Sequence, residues 1–137
     1  MATTRRPLRV LVLDDEHVIA DSLAIIFRNS GFEARSVYSG YSAIETALDF
    51  QPDVVISDIV MPGLGGVETI LSIWRRSPNS RFLLMTGNAN RQDALHNARA
   101  RGLQLVCLHK PVPPQLLIEY LTDCAYGMNV GREAVTV

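Results

Sequence analysis

Five short apolar runs, rich in β-branched residues and leucine, alternate along the chain with segments whose apolar residues recur at helical spacing. Arg9 to Leu13 is a continuous run of the kind carried by strands buried on both faces of a sheet, and it stops at Asp14-Asp15-Glu16. Ile19, Leu23, Ile26 and Phe27 then share a helical face opposite Asp21 and Arg28, and Asn29-Ser30-Gly31 supplies the stop. Phe32-Glu33-Ala34-Arg35 alternates apolar with charged residues before Val37-Tyr38, which suits a strand with one wetter face and hence an edge position. A short second helix follows from Ile44, Ala47 and Leu48, and Gln51-Pro52-Asp53 leads into a third strand, Val54 to Ser57. Asp58 stands where that strand stops, ahead of the turn chemistry of Pro62-Gly63. Val67, Ile70, Leu71 and Trp74 form the face of a third helix, closed by Ser77-Pro78-Asn79, and Phe82 to Thr86 is the fourth strand.

Between Asn88 and Arg101, Leu95 with Ala94 and Ala98 offers little to bury, which predicts a lightly anchored fourth helix and a candidate for movement. Leu105 to Leu108 is the fifth strand, ending at His109-Lys110-Pro111. Pro113-Pro114 opens a last helix in which Leu117, Leu121 and Cys124 share one face. Strand alternating with helix predicts an α/β fold, a doubly wound five-stranded parallel sheet with right-handed crossovers and helices on both faces. One domain over 8–126 is expected, between an N-terminal tail, 1–7, and a C-terminal tail, 127–137.

The strand ends carry the candidate chemistry. In a parallel sheet the C-terminal ends share one edge, where ligands sit, so Asp14 and Asp15, Asp58, Thr86 and Lys110 are brought together there. Three carboxylates within about 5 Å repel by roughly 3 kcal/mol per pair at an effective dielectric near 20. A positive partner is therefore expected among them, and a hard divalent cation held by one or two carboxylates and several waters, open to phosphate oxygens, is the Mg²⁺ arrangement. Lys110 is the only lysine beside twelve arginines. A compact ammonium acts as a point charge toward one oxygen of a small anion, where a guanidinium fork is too wide, and the Thr86 hydroxyl suits another oxygen.

Composition narrows the choices further. A formal net charge of -1 provides no global field for nucleic acid or an anionic membrane, so neither is expected as a direct partner. Cys107 and Cys124 lack C-x-x-C spacing and read as buried free thiols. The apolar run after the basic N-terminus is too short for a signal-peptide core, and no run reaches membrane-spanning length, so a cytoplasmic protein is expected.

Asp14-Asp15 followed by Asp58 with Met61-Pro62, Thr86-Gly87 and Lys110-Pro111, in this order and at these spacings, resembles the receiver domain of two-component response regulators over about residues 8 to 126. The resemblance implies a flavodoxin-like sheet of order 2-1-3-4-5, as in chemotaxis regulators. It also implies that Asp58 is the nucleophile, taking a phosphoryl group from a sensor histidine kinase or a histidine phosphotransfer protein to form an aspartyl phosphate. Asp15, Asp58 and the carbonyl of Val60 are then direct Mg²⁺ ligands, Asp14 acts through water, and Thr86 and Lys110 hold phosphoryl oxygens. The implied readout is altered binding of a downstream output protein through the face built from the fourth helix, fifth strand and last helix. Lys110-Pro111 is expected to be cis. The sequence departs from the family at Cys107, where a tyrosine or phenylalanine is usual, and so the usual ring movement has no counterpart and the output surface is expected to differ.

Other readings compete. Asp14-Asp15-Glu16 alone suits a helix N-terminus, Asp58 a turn cap and Thr86 a strand end. A receiver-like interaction module that is never phosphorylated is the main alternative. A metal-dependent phosphatase is disfavoured because Val60, two residues after Asp58, supplies no acid. Gly63-Leu64-Gly65-Gly66 is not a dinucleotide fingerprint, since Glu68 stands in place of the last glycine, and His17, His96 and His109 lack metal-ligand spacing.

Overall fold

A computed structural model describes residues 6–59, 61–87, 96 and 99–127. The chain runs β1 (Arg9–Leu13), α1 (His17–Asn29), β2 (Glu33–Val37), α2 (Gly40–Phe50), β3 (Val54–Asp58), α3 (Gly66–Arg76), β4 (Arg81–Thr86), β5 (Leu105–His109) and a last helix, here α4 (Pro114–Ala125). The five strands form one parallel sheet in the order β2-β1-β3-β4-β5. The alternating segment is therefore the edge strand, with Arg35 exposed between buried Ala34 and Val37.

The period-2 pleat sorts each strand between two cores. Leu11, Leu13, Val55, Phe82, Leu84, Leu105 and Cys107 face α2 and α3, whereas Val10, Val12, Val54, Ile56, Leu83, Met85, Val106 and Leu108 face α1 and α4. Continuous apolar runs thus serve two buried faces at once, and right-handed crossovers distribute the helices between those faces.

The helices obey their predicted limits better than their predicted faces. In α1 the buried stripe is Ala20, Leu23, Ala24 and Phe27, and Ile19 is 40% exposed. In α2 it is Gly40, Ala43, Ala47 and Phe50, with Leu48 50% exposed. Small residues at Gly40, Ala43 and Ala47 let this helix lie close to its neighbours, so Phe50 becomes the anchor and Leu48 turns outward. In α3 Val67, Ile70 and Ile73 are buried, while Leu71 and Trp74 are only half-buried, and Arg101 lies over the Trp74 ring at 5.8 Å. The α4 face of Leu117, Leu121 and Cys124 is buried as expected and gains Tyr120. Pro114 occupies the first turn of α4, where a missing N–H costs nothing.

Both cysteines are free and buried, Cys107 on β5 under α2 and α3 and Cys124 on the inner face of α4, in the two different cores. No helix among the described residues is long and apolar enough to cross a membrane. Most of the expected fourth helix, including Leu95, and the tail from 128 onward lie outside the described residues.

Candidate functional site

Strand order reverses direction between β1 and β3, and the crevice beyond their C-terminal ends is the natural ligand position in such a sheet. Leu13 pairs with Ser57, so the acidic residues that follow β1 emerge beside Asp58, the last residue of β3. Asp14, Asp15 and Asp58 each offer a carboxylate oxygen within 4.8 Å of the other two. Asp14 is buried at 2% exposure and its Oδ1 accepts the backbone N–H of Glu16 at 2.9 Å. Burial raises its pKa above the usual carboxylate value, opposed by that backbone hydrogen bond and reinforced by the charge of Asp58.

Lys110 follows β5 and donates from Nζ to Asp58 Oδ2 at 2.8 Å, linking residues 52 positions apart. Burial works against its charge, but the hydrogen bond and attraction of Asp58, with help from Asp14 and Glu16, raise its pKa. Lys110 N–H also donates to the Thr86 carbonyl at 2.9 Å, which ties the end of β5 to the end of β4. The Lys110-Pro111 bond is cis. Thr86 is 2% exposed at the end of β4, one residue past Met85, the ladder partner of Asp58. Val60 lies outside the described residues.

The backbone of Asp58 is held on several sides. Buried Ser57 donates its hydroxyl to the Asp58 carbonyl at 2.8 Å, and Ile59 N–H donates to Met85 O at 3.1 Å, extending the sheet one step beyond the aspartate. Gly66, the first residue of α3, packs on that same region: a methyl group there would overlap the Asp58 carbonyl and lie 2.9 Å from Ile59 Cα. A fixed main chain beneath a side chain only 13% exposed leaves the carboxylate aimed at the crevice.

The end of β2 contributes more than its sequence suggested. Tyr38 stacks on His17 with ring centroids 3.7 Å apart, and its hydroxyl donates to Asp21 Oδ1 at 2.7 Å beside the Ser36 hydroxyl at 2.6 Å. Ser39 caps α2 by accepting the N–H of Ser42. The Tyr38 and Ser36 contacts with His17 and Asp21 join α1 to the end of β2 next to the acidic pair. They cross between elements, so no local spacing signals them; His17 is a packing residue, as its lack of ligand spacing implied.

The arrangement offers a mostly buried Asp58 carboxylate with the Lys110 ammonium beside it, and an acidic cluster whose mutual repulsion a cation would relieve. Its carboxylate donors and its excess of negative over positive charge fit a hard divalent ion. Residues 10–122 match the family model described as the response regulator receiver domain. A response regulator receiver protein from Anaeromyxobacter is 34% identical over 110 residues, 80% of this chain and 45% of that protein. The probable transcriptional regulatory protein TcrX of Mycobacterium tuberculosis is 31% identical over 97 residues, 71% of this chain and 42% of that protein. The chain thus spans less than half the length of these curated relatives. In fold it is similar to a CheY-like receiver domain protein from Methanospirillum hungatei, with a TM-score of 0.79 at 22% identity over 89% of this chain and 96% of that one.

Proposed function

Because the chain belongs to the response regulator receiver domain family, we propose that it is a phosphorylation-dependent switch in which Asp58 accepts a phosphoryl group from a phosphohistidine of a sensor kinase or phosphotransfer protein. The observation that carries this reading is the 2.8 Å contact of Lys110 Nζ with Asp58 Oδ2 inside the Asp14, Asp15 and Asp58 cluster. An Asp58 oxygen attacks phosphorus; the new O–P bond forms as the N–P bond breaks, and the imidazole nitrogen keeps the electron pair and takes a proton. Asp15 and Asp58, with the Val60 carbonyl, would hold Mg²⁺ directly, and Asp14 would hold it through water. The bound ion supplies neutralising charge and orients phosphoryl oxygens. Lys110 passes from the bare carboxylate to a phosphoryl oxygen, and the Thr86 hydroxyl takes another.

The Lys110 to Thr86 backbone bond supports a route outward: rearrangement at either residue reaches β5 and, through the core it shares with α4, the proposed output face of which α4 is the described helix. An output protein read through this face responds to a shifted equilibrium. Cys107, buried on β5, has no ring to reorient, so the signal travels by backbone and loop. The same cysteine favours the second reading, an unphosphorylated interaction module.

Intact-mass spectrometry after incubation with Mg²⁺ and acetyl phosphate separates the two. A single phosphoryl adduct is expected in the wild type, lost with EDTA, absent in Asp58→Asn and strongly reduced in Lys110→Arg, whose wider fork misplaces the charge. No adduct, together with no Mg²⁺ binding by calorimetry, sinks the phosphorylation reading and leaves the module.

A further inference from the structure

The turn that follows Asp58 is braced from a second helix. Thr69, fully buried in the first turn of α3, donates its hydroxyl to the Gly65 carbonyl at 2.8 Å, and its own N–H donates to the same oxygen at 3.0 Å. Gly40, the first residue of α2, lies against that hydroxyl. A methyl group built on Gly40 would overlap Thr69 Oγ1 and stand 3.0 Å from both Cβ and the carbonyl oxygen of Leu64. The backbone at Gly40 has an ordinary negative φ, so its need for glycine comes from this contact and not from conformation. Gly65 leads directly into Gly66, which packs on the Asp58 carbonyl and donates its N–H to Ile59 O at 3.1 Å. A continuous line of contacts therefore runs from Gly40 through Thr69 and Gly65-Gly66 to the backbone of Asp58.

We propose that Gly40 and Thr69 are positioning residues for the phosphoryl-accepting site: the close approach of α2 to the Thr69 hydroxyl sets where the 61–65 turn lies and thereby how Asp58 is presented. This rests on the reading of Asp58 as acceptor. A polar hydroxyl in an otherwise apolar α2–α3 contact is worth its burial because it holds the Gly65 carbonyl, and the glycine opposite is the space it needs. Residues in one such contact chain are coupled, so their substitutions are non-additive.

The test is a double-mutant cycle of Gly40→Ala, Thr69→Ala and the pair, read in three ways: thermal unfolding, metal-free amide NMR shifts of Ile59, Gly65 and Gly66, and the rate of acetyl phosphate labelling with saturating Mg²⁺. Gly40→Ala is expected to move those amides and slow labelling by about tenfold to a hundredfold, the scale of a small misplacement at a reacting group. Thr69→Ala alone shows a smaller loss. In the pair, the methyl group enters the space the hydroxyl vacated and keeps only its 3.0 Å contacts with Leu64, so amides and rate move back from those of Gly40→Ala toward those of Thr69→Ala. Labelling of folded Gly40→Ala at the wild-type rate, or a pair no better than Gly40→Ala, overturns the proposal. Should Gly40→Ala not fold, recovery of a folded pair with amides like those of Thr69→Ala supports it, and an unfolded pair overturns it. Absence of any wild-type adduct instead counts against Asp58 as acceptor, while the amide shifts still decide whether the brace exists.

Discussion

Asp14 shows how a site residue is held at a cost to the fold. Its carboxylate is buried beside Asp58 and Asp15, and burial raises its pKa above 3.8, with the two like charges adding to the effect and Glu16 N–H opposing it. A carboxyl group whose folded pKa is raised favours the folded state below the unfolded pKa and loses that contribution as pH rises through the folded value. At neutral pH Asp14 is therefore a net penalty when no cation is bound. Asp14→Asn keeps an oxygen to accept the Glu16 N–H and removes the charge. The metal-free variant is expected to unfold at higher temperature than the wild type at pH 7, with the difference vanishing toward pH 3, and to lose affinity for Mg²⁺. Calorimetric melts across that pH range and a Mg²⁺ titration check both signs. A lower melting temperature at pH 7 would show that Asp14 is satisfied by its neighbours rather than strained by them.

Helix α2 makes the same point one level up, because its anchor is not the residue that helical periodicity selects. Phe50 is 2% exposed in the core shared with α3, and its ring lies beneath two guanidinium groups, Arg35 at 4.5 Å and Arg9 at 5.9 Å. Leu48, from the expected stripe, is 50% exposed on the rim of a groove of about 380 Å³ between α2 and α3. Truncation of a buried phenylalanine costs about 3–5 kcal/mol, so Phe50→Ala is expected to shift the urea midpoint by that equivalent. Leu48→Ala, with half its surface already in water, is expected to cost about 1 kcal/mol or less, since little burial is lost. Equal effects of the two would place the helix in a different rotation about its axis.

For the whole molecule, the two thiols report on cooperativity. Burial raises the pKa of both Cys107 and Cys124, with the charges of Arg99 and Arg81 respectively pulling the other way. Both thiols are thus protonated and slow toward alkylation at neutral pH. They lie in separate cores on opposite faces of one sheet. Strands that line both cores with alternate residues cannot release one face alone, so iodoacetamide labelling of the two thiols is expected to rise in one transition as urea increases. Two separated transitions, resolved by peptide mass spectrometry, would mean that the α1–α4 layer and the α2–α3 layer unfold independently.

Local chemistry was enough to determine much of this protein. Five apolar runs alternating with helical patterns specify five β-α units, because strand and helix periodicities differ and handedness admits few arrangements. The polar residues that end those runs, Asp14, Asp15, Asp58, Thr86 and Lys110, are legible for the same reason: a parallel sheet places its strand ends on one edge. The sheet order came from resemblance rather than from pattern, with the alternating β2 as its one independent sign. Rotation about each helix axis was decided only in three dimensions. Which of Ile19 or Ala20, Leu48 or Phe50, and Trp74 or Ile73 turns inward depends on how closely small residues let the helices approach, a property of the assembled pair. So too were the Tyr38 stack on His17, the Lys110 bond to Asp58 and the fit of Gly40 against Thr69, since each is a contact between elements far apart in the chain and packing alone selects its partners.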